Sequence, residues 1–324
     1  MTTVNQAQRG AMRPLARRVR AYFAPVDRQT STPTVFDPAA TPSFDLDAPP
    51  APWIDAGWVL NFQRTSATAI ETLATGPRGL AQKQFRSGVS ATVAFDFLDW
   101  GKLQMAVSAG CQQMNLLEED LNVPPRASGG AAKLAVATLA GSTPTSIRVG
   151  TSAVSSFNAG DIVVVDVDYQ QQTGYVGDIA GAYVENPADI GFDVDYVRRV
   201  SFRVARVSDK TTDSLVLSQP LIGGVPANAA VQKVVGFVDR EGGRFFPEWS
   251  GLFVLESETG ARIFYHYPRL QPAAPAAESA REVAAFDAWS LRARFVALPV
   301  TDPNDAQQVL CFRTLVPAPH AAVY

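Results

Sequence analysis

Alternating apolar and polar positions recur along the chain and predict a fold built mainly from β-strands. The clearest run is residues 86–97, RSGVSATVAFDF. Successive side chains of a strand point to opposite faces, so this run gives one apolar face and one small, polar face. The apolar face carries Val89, Ala91, Val93, Phe95 and Phe97. The polar face carries Ser90, Thr92, Ala94 and Asp96, beside Gly88.

Helical spacing of apolar residues predicts a few helices among these strands. Asp99 can cap a helix from about 100 to 118, whose apolar stripe is Leu103, Val107, Gly110, Met114 and Leu117. Residues 277–287 are predicted to form a second, short helix. A third lies between Pro14 and Pro25, with an apolar stripe at Leu15, Val19, Tyr22 and Phe23.

The N-terminal helix belongs to a predicted arm, residues 1–51. No acidic residue precedes Asp27, whereas five arginines do: Arg9, Arg13, Arg17, Arg18 and Arg20. The helix would therefore be basic and amphipathic, and residues 29–52, with six prolines, would be a stiff connector. Such an arm can dock on an acidic neighbouring subunit, bind nucleic-acid phosphates, lie on a membrane, act as a transit peptide or be disordered.

The remaining chain divides into a core and an insertion. Residues 52–125 and 241–324 read as two parts of one β-rich core with a flanking helix. Residues 126–240 contain short β-runs separated by turns and read as an inserted small β-barrel. Its strands are predicted at 146–150, 161–169, 196–207, 214–218 and 231–238, and those of the second core part at 245–256, 261–267, 289–298 and 308–316.

Composition narrows the classes of function. The 324-residue chain has a net charge of −3, two cysteines and two histidines, and only 18% charged residues. Two distant cysteines make neither a disulfide framework nor a zinc site. No P-loop, GxSxG or dinucleotide-binding motif occurs, and no apolar run reaches the length of a membrane span. We therefore expect no enzyme activity, no cofactor, no metal and no membrane partner.

A few polar residues nevertheless have a possible chemical role. His266 lies between Tyr265 and Tyr267, and nothing in the sequence points to a catalytic partner. The acidic residues Asp161, Asp166, Asp168 and Asp178 could hold calcium, but a solvated strand face explains them better. A carbohydrate-binding or carbohydrate-cleaving protein is a further hypothesis. Its aromatic platform and its acids would be Trp249, Tyr265, Tyr267, Glu248 and Asp239.

Residues 52–62, PWIDAGWVLNF, resemble the opening of bacteriophage tail tube (major tail) proteins, where a Trp-x-Asp-x-Gly-x-Val element leads into the first strand pair. The order of strand, helix and later strands is also similar, and residues 289–302 resemble a late strand of that family. The resemblance covers roughly 52–125 and 241–315. It implies a β-sandwich or barrel with one flanking helix, forming hexameric rings that stack into a hollow tube in the virion tail. Genome DNA passes through such tubes without sequence-specific binding.

On this hypothesis the polar face of residues 86–97 lines the lumen, because Ser90, Thr92, Ala94 and Asp96 lack a basic side chain that would hold DNA. Partners would be further copies of the chain and other tail proteins. A decoration or baseplate component is the alternative within the same class. The predicted contacts between subunits are Arg13, Leu15, Arg17, Val19, Arg20, Tyr22, Phe23, Trp53, Asp55 and Trp58. For Trp53 and Trp58 a position in the core is the alternative.

Overall fold

A computed structural model shows a mainly β protein, so the predicted fold class is confirmed. Two compact units divide the chain. The first unit is Met1–Val26, Pro33–Asp99 and Glu248–Tyr324, and the second unit is Asp27–Thr32 and Trp100–Pro247. The structure describes residues 16–26, 30–39, 44–50, 52–75, 80–109, 112–122, 133–167, 203–221, 224–240, 248–258, 260–273, 277–283 and 286–317.

The described residues form seventeen strands and one α-helix. They are β1 Ala16–Pro25, β2 Ile54–Thr75, β3 Leu80–Phe97, α1 Lys102–Ala109, β4 Gln112–Leu117, β5 Val136–Ala137, β6 Ser146–Arg148, β7 Ile162–Val167, β8 Val204–Lys210, β9 Ser214–Leu217, β10 Ala229–Arg240, β11 Trp249–Ser257, β12 Arg262–Pro272, β13 Ala277–Val283, β14 Phe286–Ala297, β15 Val300–Thr301, β16 Gln308–Val309 and β17 Phe312–Val316.

Six strands of the first unit close into an antiparallel barrel. The order is β14-β3-β2-β1-β11-β12, and β12 pairs back to β14. β13 continues the sheet on β14, and β17 pairs with β12. Closure leaves the six wall strands without a free edge where they pair, and it encloses a core. That core is largely aromatic, with contacts among Phe23, Phe95, Phe253, Phe295 and Tyr267.

The N-terminal helix predicted from Val19, Tyr22 and Phe23 is wrong, because residues 16–25 form strand β1 in the barrel wall. β1 pairs with β2 on one side and β11 on the other. Phe23 points into the barrel and Tyr22 points outward, yet both are completely buried. Adjacent apolar residues on a strand that is covered on both faces mimic the stripe of a helix. Residues 16–25 are therefore core and not arm.

The Pro-rich segment covers the outer face of the barrel instead of giving an arm its reach. We call residues 33–53 the strap. Its side chains pack on β1, β11 and β12, and Phe36 stacks on Phe264 with ring centroids 5.2 Å apart. The Tyr22 hydroxyl donates to the Leu46 carbonyl at 2.9 Å. The apolar cluster under the strap is Tyr22, Ala24, Phe36, Phe44, Leu46, Trp53, Leu252, Val254 and Phe264.

The second unit is a separate sheet with its own core. Its strand order is β4-β10-β7-β8-β9-β6, with β5 also on β10, and the pairings described there do not include one that closes a barrel. The insertion runs from Trp100 to Pro247 and thus includes the helix, unlike the predicted 126–240. Its core residues are Ile147, Val149, Val154, Phe157, Val163, Val165, Ala205, Val207, Leu215, Leu217, Leu221, Ala229 and Val231.

Two further helix predictions need correction. The helix expected from 100 to 118 ends at Ala109, because residues 112–117 pair with β10 from Arg240 to Val234. The helix expected over 277–287 is strand β13, which pairs with β14 from Ala277–Arg292 to Val283–Phe286. In both places a strand partner distant from the helical pattern decides the conformation.

Candidate assembly surface

The hairpin of β2 and β3 extends well beyond the barrel wall. β14 pairs with β3 only from Phe97 to Thr92, and β1 pairs with β2 no further than Val59. Beyond the pair Thr65–Thr92, the pairings among the described residues join these two strands only to each other, as far as Thr75–Leu80. We call residues 65–92 the β2–β3 ribbon.

A β-bulge at the base of this ribbon sets which residues face the barrel. The register shifts between Leu60 and Gln63, and Asn61 has φ of 52°, in the left-handed region that Asn tolerates. The additional residue lets Val59 and Phe62 both point inward. There the ring centroids of Phe62 and Phe253 are 5.1 Å apart. The same register leaves Leu60 51% exposed on the outside.

The ribbon is exposed on both of its faces. Residues 65–73 are all exposed, and so are residues 83–87 on the returning strand. It nevertheless carries large apolar side chains about half exposed: Ile70 57%, Leu73 50%, Phe85 47% and Val89 47%. An isolated two-stranded hairpin is marginally stable in water, and clustered exposed apolar residues mark interaction sites. The ribbon is therefore a candidate interaction surface.

The predicted lumen face lies on the outside of the barrel, but it is not free of basic side chains. In the antiparallel register Arg292 faces Asp96 and Arg294 faces Ala94. Directly opposed residues share a face of the sheet, and both arginines are exposed. Two basic side chains therefore share the outer face with Ala94 and Asp96, and the lumen-facing position of Ser90, Thr92, Ala94 and Asp96 stays a prediction.

The predicted subunit contacts fall into three groups. Tyr22, Phe23 and Trp53 are at most 7% exposed within their own chain, so for these residues a contact with a neighbour is wrong. Arg13 and Leu15 lie outside the described residues, as does the side chain of Arg17. Val19, Arg20, Asp55 and Trp58 are partly exposed, and their contact with a neighbour stays a prediction.

The partly exposed group is bound together within the chain. Arg20 donates from Nε and Nη2 to the two carboxylate oxygens of Asp55 at 3.0 and 2.5 Å, and from Nη1 to Asp47 of the strap. Arg18 and Arg20 also stack on Trp58, with guanidinium carbons 4.4 and 5.1 Å from the ring centroid. The bond from Arg20 lowers the pKa of the Asp47 carboxyl. Arg20 thereby links Asp47 of the strap to Asp55 and Trp58 of the barrel.

His266 is a buried structural residue of the outer core. It is 2% exposed, its Nε2 lies 3.2 Å from the Thr34 carbonyl, and its ring lies between Phe36, Trp53 and Phe312. Desolvation lowers its pKa to about 4. The neutral imidazole is therefore enclosed by aromatic rings, and the absence of a catalytic role for His266 stays a prediction.

The residues of the carbohydrate hypothesis do not form a sugar platform. Trp249 is 1% exposed and Tyr267 is fully buried, so neither can stack on a ligand from solvent. Glu248 accepts two hydrogen bonds from Arg269, at 2.7 and 3.0 Å, and is thereby fixed in an ion pair. Of the three aromatic residues, only Tyr265 is partly exposed, and the side chain of Asp239 lies outside the described residues.

Of the four acidic residues considered as calcium ligands, the structure describes Asp161 and Asp166. Asp161 pairs with Lys233 at 3.0 Å, and Asp166 is buried in β7. Asp168 and Asp178 lie outside the described ranges. Within those ranges, no cluster of three or more His, Cys, Asp or Glu side chains is placed to hold a metal ion, and no helix is long and apolar enough to span a membrane.

Sequence reasoning missed the ribbon, although a signal for it was present. Residues 76–79 read Gly-Pro-Arg-Gly, a strong turn signal between two strand-like runs.

Comparison with models of known protein families found no match to the chain, and comparison with curated proteins likewise found none.

Proposed function

We propose that this protein is a structural subunit that assembles with copies of itself, most closely in the manner of a phage tail tube protein. On this proposal, copies form hexameric rings, the rings stack into a hollow tube, and DNA passes through the lumen. The single observation that carries self-assembly is the β2–β3 ribbon, a long hairpin exposed on both faces and rich in apolar side chains.

The closed barrel supports the same proposal. Its aromatic interior and the strap over its outer face bury the large apolar residues of β1, β11 and β12. The barrel therefore needs no partner for its own core, and it can serve as a rigid base for the ribbon. A rigid base with a projecting, incomplete element is the arrangement that repeated assembly requires.

A decoration or baseplate component is the alternative within the same class. On that alternative the chain assembles through a second protein, so we expect the purified chain alone to form no rings or tubes. The carbohydrate hypothesis is disfavoured by the burial of Trp249 and Tyr267.

Electron microscopy and light scattering on the purified full-length protein test the proposal. We expect rings or tubes from the unaltered chain. A shortened variant joins Thr68 to Val89, which face each other in the ribbon, through an Asn-Gly turn, and removes residues 69–88. We expect this variant to be monomeric with an unchanged melting temperature, because the removed residues contribute nothing to the barrel core.

A matched pair of point variants separates the ribbon from general surface hydrophobicity. Leu73→Ser with Phe85→Ser should reduce assembly, whereas Val35→Ser with Leu121→Ser, at sites 67% and 88% exposed, should not. Monomers at high concentration of the unaltered chain, or unimpaired assembly of the shortened variant, would contradict the proposal.

A further inference from the structure

A second ribbon leaves the barrel at the end opposite to the first. β14 pairs with β3 from Val296–Thr92 to Leu291–Phe97, where β3 ends. β14 extends beyond that point toward its start at Phe286, and there β13 is its only partner among the described strands. The β2–β3 ribbon instead extends from the Thr92 side. The antiparallel register thus places the two ribbons at opposite ends of the barrel.

The second ribbon, like the first, is taken to begin at the last residue pair between β3 and β14. It begins at the pair Glu278–Leu291, opposite the last residue of β3, and we call residues 278–291 the β13–β14 ribbon. β12 and β13 run in the same direction and pair with the same edge of β14. The ribbon is therefore the end of a second hairpin, whose strand β14 continues into the barrel wall.

The two ribbons carry opposite net charge. Residues 65–92 contain three basic residues, Arg78, Lys83 and Arg86, and one acidic residue, Glu71, which gives +2. Residues 278–291 contain three acidic residues, Glu278, Glu282 and Asp287, and one basic residue, Arg281, which gives −2. The whole chain has a net charge of only −3, so the opposite signs at the two ends are a local feature of each ribbon.

Both ribbons also have backbone edges open to pairing. From Ala91 toward the tip, β3 has no pairing on its outer edge within the described residues, and β13 likewise has none on the edge away from β14. Unpaired strand edges bind other strands through main-chain hydrogen bonds. Charge then selects which edges meet, since like charges placed together cost affinity.

We propose that the β2–β3 ribbon of one copy binds the β13–β14 ribbon of the next copy, so that copies add head to tail along the barrel axis. The inference rests on the proposed self-assembly and names the two surfaces that form its axial contact. A second copy is the indicated occupant because one chain carries both charge-complementary ends. A head-to-tail contact leaves a free ribbon at each end of a growing stack, so it continues without limit.

Exchanging the charges of the two ribbons tests this contact. The first variant, Lys83→Glu with Arg86→Glu, changes the β2–β3 ribbon from +2 to −2. The second variant, Glu278→Lys with Glu282→Lys, changes the β13–β14 ribbon from −2 to +2. Either variant alone then has two ends of the same sign, and we expect its axial association constant to fall by at least about tenfold.

Rescue provides the decisive readout. An equimolar mixture of the two variants restores opposite signs at every contact, and so does the combined four-fold variant, so both should recover association measured by light scattering. Raising the salt from roughly 0.05 to 0.5 M should weaken the unaltered protein and the rescued samples alike. Melting temperatures of all variants should stay the same, which excludes misfolding as the cause.

The results separate the two proposals. If the unaltered chain assembles but both charge variants assemble equally well, the head-to-tail contact is refuted while self-assembly stands. If each variant loses assembly and the mixture does not recover it, the pairing of these two ribbons is also refuted. If the unaltered chain stays monomeric under all conditions, self-assembly itself fails, and the inference fails with it.

Discussion

At the scale of single residues, buried polar groups under the strap link stability to pH. The folded protein keeps His266 neutral, because burial lowers its pKa to about 4, whereas an unfolded chain has the ordinary value of 6.5. Between these two values the unfolded chain binds a proton that the folded chain does not. The free energy of unfolding therefore falls as the pH is lowered from about 6.5 to 4, by about 3 kcal/mol at most.

The variant His266→Phe should remove this contribution and make stability less sensitive to pH in that interval. Denaturant unfolding at a series of pH values measures it, and the difference in slope between the variant and the unaltered protein isolates His266 from the carboxylates. The phenyl ring suits a site lined by Phe36, Trp53 and Phe312, although the bond to the Thr34 carbonyl is lost. Parallel pH curves would refute the assignment.

At the scale of elements, the strap is the part of the fold that can be tested most simply. Phe36 is 5% exposed and stacks on Phe264, whereas its neighbour Val35 is 67% exposed. Phe36→Ala should lower the free energy of unfolding by about 3–5 kcal/mol, because it leaves a cavity between strap and barrel. Val35→Ala is the matched control and should change it by less than about 0.5 kcal/mol. Equal effects at the two positions would show that the strap does not pack on the barrel.

How far an element could be predicted depended on how many of its faces are buried. Residues 86–97 alternate because one face meets the core, and β3 follows that pattern with Ala91, Val93, Phe95 and Phe97 buried. The pair Tyr22–Phe23 does not alternate, because the strap covers the outer face of β1. That cover comes from residues whose many prolines indicate an extended connector, and local sequence does not tell where such a connector packs.

The candidate site was less accessible to prediction than the fold. The bulge at Asn61 interrupts the alternation in β2, so one strand of 22 residues does not read as one strand. The Trp-x-Asp-x-Gly-x-Val run at residues 53–59 was expected at an interface, yet Trp53 is buried under the strap. Exposure of the ribbon follows from where β1 and β14 stop pairing, and that is a property of the sheet and not of residues 65–92 themselves.

At the scale of the whole molecule, the two units should respond differently to loss of the N-terminal strand. Deleting residues 1–26 removes β1 from between β2 and β11. The deletion also takes Phe23 out of the barrel interior and Tyr22 out of the apolar cluster under the strap. We expect the thermal transition of the barrel to disappear from calorimetry. A transition from the second unit should remain, because that unit has its own apolar core.

Supplying the missing strand as a peptide is the control for that deletion. A synthetic peptide of residues 16–26 added to the shortened chain should restore part of the lost transition, and the same peptide with Phe23→Asp should not, since it would bury an unpaired charge. A barrel transition that persists without β1 would contradict the position of this strand in the wall.

The place of β1 between β2 and β11 also has a consequence for synthesis on the ribosome. One neighbour is made soon after β1, but the other, Trp249–Ser257, is made only after the entire second unit. Until then the nascent chain holds an incomplete wall whose aromatic residues need a chaperone or remain exposed. A chain released before residue 249 cannot close the barrel, so truncated products lack the folded base of the ribbons. On the proposed self-assembly, only chains translated nearly to their end would therefore be competent to assemble.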